Sequence, residues 1–153
     1  MIEPSVKAPE FELPSHKGKP VTLGDFAGRK VLLCFYPNDF SPVCSDQLSI
    51  YQEVLPQLRD RGVELVGIST DGTWTHNAFR KHLGLEITLL SDFHPKGKVA
   101  RAYGAYLEEW GTPNRSLVLV DEAGVVRWVH AAPTPLEIPG ANLIFDALAQ
   151  VPG

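Results

Sequence analysis

The VLLCFY run from Val31 to Tyr36 constrains the fold more than any other part of the chain. It is too short for a helix, has no polar face and is stopped by Pro37, which is the pattern of a central strand covered on both sides. Beyond a loop, Leu48, Tyr51, Leu55 and Leu58 recur at spacings of three and four, so Pro42 to Arg61 is predicted as a helix with one apolar stripe. Pro56 lies within that helix, where its ring removes one backbone hydrogen bond and predicts a kink. Gly62 ends the helix and Val63 to Ser69 (VELVGIS) supplies the next strand. Strand, crossover helix, strand is a right-handed parallel unit by default.

The flanking segments extend this unit. Pro9 to Leu13 alternates, and after Lys17-Gly18-Lys19-Pro20 the chain resumes at Val21 to Leu23, so an N-terminal hairpin added to the main sheet is expected. A helix from Thr75 to Leu83, a strand from Ile87 to Leu90 and a helix from Lys96 to Tyr103 follow. The last third changes character. Ser116 to Val120, a turn through Asp121-Glu122-Ala123-Gly124 and Val125 to His130 read as an antiparallel hairpin, closed by a helix from Ile138 to Gln150. A parallel first half with an antiparallel second half predicts a thioredoxin-like α/β fold, a mixed central sheet with helices on both faces. At 153 residues, a single domain over 1–153 is expected, large enough to bury a core without disulfide staples.

Charge and apolar length remove several function classes. With Lys plus Arg at 14 against 18 for Asp plus Glu, and no basic block, nothing attracts nucleic acid or anionic lipid. No apolar stretch approaches the roughly 18 residues of a spanning helix, and the N-terminus lacks a leader pattern, so a cytoplasmic protein free of membrane is expected. Two cysteines, Cys34 and Cys44, suit a reducing compartment.

The segment from Pro37 to Cys44 lies between the carboxyl end of the central strand and the long helix, where α/β sheets concentrate their sites. Ser41 is a preferred N-cap, Pro42 suits the first helical position, and Cys44 falls at the third. There its sulfur faces unpaired N–H groups and the positive end of the helix dipole, both of which favour thiolate over thiol. From spacing alone Cys44 is either a reactive thiol or a small buried residue at a helix start. Arg115, far away in sequence, reads by itself as a surface ion-pair partner.

Pro37-x-x-x-Ser41-x-x-Cys44 after an apolar strand resembles the active-site motif of peroxiredoxins, with Ser where Thr is commoner. KAPEFELP near the start, TLLSDFHPKGKVARAYGAY and PNRSLVLVDEAGVVRW extend the resemblance over residues 6 to 130, and the second of these is most similar to the alkyl hydroperoxide reductase E-like, one-cysteine group. The resemblance implies a thiol peroxidase for hydrogen peroxide and organic hydroperoxides. Cys44 would be the peroxidatic nucleophile, Ser41 and Arg115 would hold peroxide and thiolate, and Pro37 would shield the sulfenic acid. It also implies a homodimer and an external thiol or redoxin as reductant. One position departs: Gln47 stands where the family often has Glu, so it can hydrogen-bond Arg115 without balancing its charge.

Resolution by a second cysteine is disfavoured. Q-type relatives carry one five residues after the peroxidatic Cys, where this chain has Ser49, and the C-terminal ALAQVPG has none. Cys34, inside the apolar strand, reads as a small core hydrophobe. His76 is expected on the solvated surface or at the pocket mouth, no metal-ligand spacing stands out, and no glycine-rich loop signals a nucleotide cofactor. Trp74, Trp110 and Trp128 read as packing or dimer-contact residues, and the Asn114-Arg115-Ser116 sequon reads as accidental. A dithiol oxidoreductase would need a second Cys at position 41. A peroxide-responsive redox sensor or binding module on the same scaffold remains the alternative.

Overall fold

The computed structural model describes residues 1–151, so the last two residues of the expected 1–153 span lie outside the described residues. An N-terminal hairpin of β1 (Glu12–Pro14) and β2 (Pro20–Thr22) leads through a 3-10 turn (Leu23–Phe26) to β3 (Lys30–Phe35). Then come α1 (Pro42–Asp60), β4 (Val63–Ser69), α2 (Thr73–Leu83), β5 (Thr88–Ser91) and α3 (Lys98–Ala102). Two short strands, β6 (Tyr106–Leu107) and β7 (Thr112–Pro113), precede β8 (Ser116–Val120), β9 (Val126–Ala131) and α4 (Ala141–Gln150). The main sheet has the order β5-β4-β3-β8-β9, parallel on the β4 side of β3 and antiparallel on the β8 side.

All six residues of β3 are buried, as its unbroken apolar run requires of a strand with layers on both faces. Side chains alternate between those layers. Val31, Leu33 and Phe35 join Phe11, Phe26, Val99 and Tyr103, whereas Leu32, Cys34 and Tyr36 join Leu48, Leu55 and Leu58 of α1, Phe79 of α2 and Ile144 of α4. Helices thus cover both faces, and the fold is a thioredoxin-like α/β sandwich. Among the described residues no helix is long and apolar enough to cross a membrane.

Several boundaries differ from the sequence reading for local reasons. The N-terminal hairpin forms its own two-stranded sheet and pairs with the main one only at an isolated bridge, Ser15 to Leu90. Pro14 pairs with Pro20, and neither has an N–H to extend the ladder. Gly97, with φ 72°, stops the expected helix from reaching back to Lys96. The closing helix begins only after Pro139-Gly140, α2 starts two residues earlier than expected, and α1 runs on through Pro56. The β6–β7 pair went unpredicted because strands of two residues show no alternation. Trp74 is 87% exposed, so it is no packing residue within this chain.

Candidate active site

β3 delivers the chain to Pro37, which is buried, and the turn that follows is held open by Phe40 at φ 67°, a conformation bulky residues rarely adopt. Ser41 then takes extended backbone and caps α1, its Oγ accepting from the Cys44 amide at 3.3 Å. Cys44, at the third helical position, has no exposed surface. Arg115 enters from the residue before β8 and is 1% exposed. Its Nη2 donates to Cys44 Sγ at 3.3 Å, Nη1 to Gln47 Oε1 at 2.5 Å, and Nε to the Pro135 carbonyl at 2.8 Å. Residues 71 positions apart in sequence therefore meet at one sulfur.

The support extends along one face of α1. Gln47 Nε2 donates to the Tyr51 hydroxyl at 3.2 Å, and that hydroxyl donates to the Pro139 carbonyl at 2.7 Å. Cys44, Gln47 and Tyr51 fall at spacings of three and four, which places them on one helical stripe. A family model described as the AhpC/TSA family matches residues 4–129. The chain belongs to the AhpC/TSA family. Among its relatives, alkyl hydroperoxide reductase E of Mycobacterium tuberculosis is 34% identical over 152 residues, covering 99% of both chains. A putative peroxiredoxin bcp of Coxiella burnetii is 36% identical over 131 residues, covering 82% of this chain and 85% of its own. In structure, a reduced 2-Cys peroxiredoxin of Plasmodium vivax superposes with a TM-score of 0.87 at 27% identity, over 97% of this chain and 81% of its own. The peroxiredoxins are thiol peroxidases, and the resemblance carried by the motif holds.

Relative to the sequence reading of this peroxiredoxin, the structure brings Ser41, Cys44 and Arg115 together and adds three groups. In the sequence Tyr51 reads only as part of the apolar stripe, and its hydroxyl gives no periodic signal. The Pro135 and Pro139 carbonyls are backbone groups that no residue type announces. Cys34 lies in the same apolar layer as Cys44, and burial pushes its thiol up to about 12, partly opposed by the Arg115 charge. Cys34 is therefore an unionised packing group at neutral pH.

The expectation for His76 is overturned. It has no exposed surface, since α2 turns that side chain inward beneath Asp39, which a surface reading could not foresee without knowing the helix phase. His76 Nδ1 lies 2.6 Å from Asp39 Oδ2, and His76, Asp39 and Asp71 form the cluster among the described residues that brings carboxylates and imidazole together. Two ligands of a tetrahedral zinc would stand roughly 3.3 Å apart, given bonds of about 2 Å. The 2.6 Å contact is instead a hydrogen bond. The Tyr36 phenol, also in this cluster, is pushed well up by burial and then by the Asp39 charge.

Proposed function

We propose that Cys44 is the nucleophile through which this chain reduces hydroperoxides, with Arg115 and Ser41 holding sulfur and substrate and Pro37 covering the oxidised product. One observation carries the reading. The Arg115 guanidinium is buried, and of its hydrogen-bond partners two are neutral oxygens and the third is the Cys44 sulfur. A buried cation is costly unless an anion balances it, and the thiol is the one partner able to become an anion. The sulfur is thus the charge partner of the arginine.

In the reaction the thiolate attacks the terminal oxygen of ROOH. A sulfur–oxygen bond forms, the oxygen–oxygen bond breaks, and the leaving oxygen departs as ROH after taking a proton, with Cys44 left as sulfenic acid. Negative charge moves from sulfur toward the leaving oxygen, where the fixed donors of Arg115 stabilise it more than they stabilise the reactants. Ser41 Oγ already accepts from the Cys44 amide, so its own hydrogen remains free to donate into the site. Because Cys44 has no exposed surface, a thiol reductant reaches it when the turn above α1 opens.

Reduction of the sulfenic acid falls to an outside thiol or redoxin: it attacks sulfur, releases water and forms a mixed disulfide that a second thiol reduces. Ser49 at the resolving position and the inert burial of Cys34 support this one-cysteine course. The reading includes a homodimer, supported by the family likeness, in a cytoplasmic setting, supported by the two free cysteines. Stopped-flow oxidation by hydrogen peroxide and an alkyl hydroperoxide, with trapping of the sulfenic acid, tests the assignment. Cys44→Ser should yield no trapped species, and Arg115→Ala should slow oxidation by about a hundredfold or more. A wild-type rate no faster than that of free cysteine would reject the enzyme in favour of a redox sensor.

A further inference from the structure

The buried cluster beside the active-site turn has no part in the chemistry above, yet every one of its bonds ends on that turn or on the elements gripping it. Asp39, between Pro37 and Ser41, is held three ways: Oδ1 accepts from the Tyr36 hydroxyl at 2.6 Å, Oδ2 faces His76 Nδ1 at 2.6 Å, and its amide donates to Asp71 Oδ2 at 2.8 Å. Asp71 is fixed in turn by the Ser69 hydroxyl at 2.6 Å. Gly67 leaves the room that the Tyr36 ring occupies, since a Cβ there would stand 3.1 Å from Tyr36 Cε1.

The proton count at His76 is set by geometry. Nε2 faces the Leu90 carbonyl at 3.0 Å, and a carbonyl only accepts, so Nε2 carries hydrogen. A 2.6 Å approach of Nδ1 to a carboxyl oxygen needs a further proton between them. Asp39 and His76 therefore share one proton, whichever atom it rests on. Next to this pair the chain takes its strained step at Phe40, whose ring packs on Phe79 and His82 at centroid distances of 5.1 and 5.7 Å. A non-glycine residue at positive φ persists only where its surroundings over-determine it. Residues 76, 79 and 82 all belong to α2, so one helix supplies both the polar and the aromatic grip.

We propose that Asp39 and His76 are positioning residues: their shared proton clamps the turn between β3 and α1, and so keeps Pro37 and Ser41 over Cys44. This rests on Cys44 being the reactive thiol, and the test separates the two ideas. An asparagine side-chain amide overlays Nδ1 of histidine and a glutamine amide overlays Nε2. His76→Asn keeps the bond to Asp39 and loses the one to Leu90, whereas His76→Gln does the reverse. Alkylation of Cys44 by iodoacetamide reads how often the turn opens, and peroxide oxidation reads the assembled site. His76→Gln should be alkylated several-fold faster than wild type and oxidised by peroxide about tenfold more slowly, while His76→Asn stays near wild type in both. A purely structural role would make the two variants alike, so equal alkylation rates overturn the proposal. If the variants separate in alkylation while wild type meets peroxide no faster than free cysteine, the clamp stands and the peroxidase reading falls.

Discussion

A guanidinium sealed from water and bonded to an amide oxygen, a carbonyl and a sulfur leaves one place for negative charge to collect. Gln47 decides how strongly it collects there. A carboxylate at that position would take up the Arg115 charge and compete with the thiolate for it. Gln47→Glu is therefore expected to slow both peroxide oxidation and iodoacetamide alkylation of Cys44 at pH 7 by several-fold. Rates measured across pH check this, and unchanged neutral-pH rates would show that the amide is no determinant of thiolate population.

One junction between elements is sensitive to acid. The β1–β2 hairpin reaches the sheet where the His16 amide donates to the Leu89 carbonyl at 2.9 Å and the Leu89 amide donates to His16 Nδ1 at 3.5 Å. Burial, followed by the charges of Arg80 and Lys17, lowers His16 from the ordinary 6.5 to about 4. The folded state then binds fewer protons than the unfolded one between those values, so this contribution to stability is complete above pH 6.5 and is lost as pH falls toward 4. Protonation also removes the acceptor that Leu89 uses. His16→Asn keeps an acceptor that does not titrate, and its urea midpoint should fall less than that of wild type between pH 7 and 4.5. Equal falls would place the acid sensitivity elsewhere.

For the whole molecule, the two-layered core decides what becomes of the two thiols. Cys34 is walled between β4 and β8 in the central strand, and its ionisation is suppressed by that burial. Under native conditions at pH 8, alkylation should mark Cys44 and spare Cys34, and urea should make both react. After one equivalent of peroxide, mass measured without reductant should show one added oxygen on Cys44. A loss of two hydrogens would instead reveal a Cys34–Cys44 disulfide, which needs Cα atoms within about 7 Å and a local opening of the helix start.

Periodicity and punctuation were enough to read the central strand, the long helix and the switch from parallel to antiparallel order, because burial on two faces, on one stripe or on alternate residues leaves distinct patterns in a chain. The spacing from Pro37 to Cys44 was equally legible, since capping and the first helical turn are local chemistry. Long-range polar partners were not: the phase of α2 that turns His76 inward, the carbonyls of Pro135 and Pro139, and the hydroxyl of Tyr51 acquire roles only through packing. Even Arg115, located through the family motif, owes its distance to Cys44 to the pairing of β3 with β8. Hydrophobic pattern is written residue by residue, whereas a buried hydrogen bond exists only once two distant segments have excluded water between them.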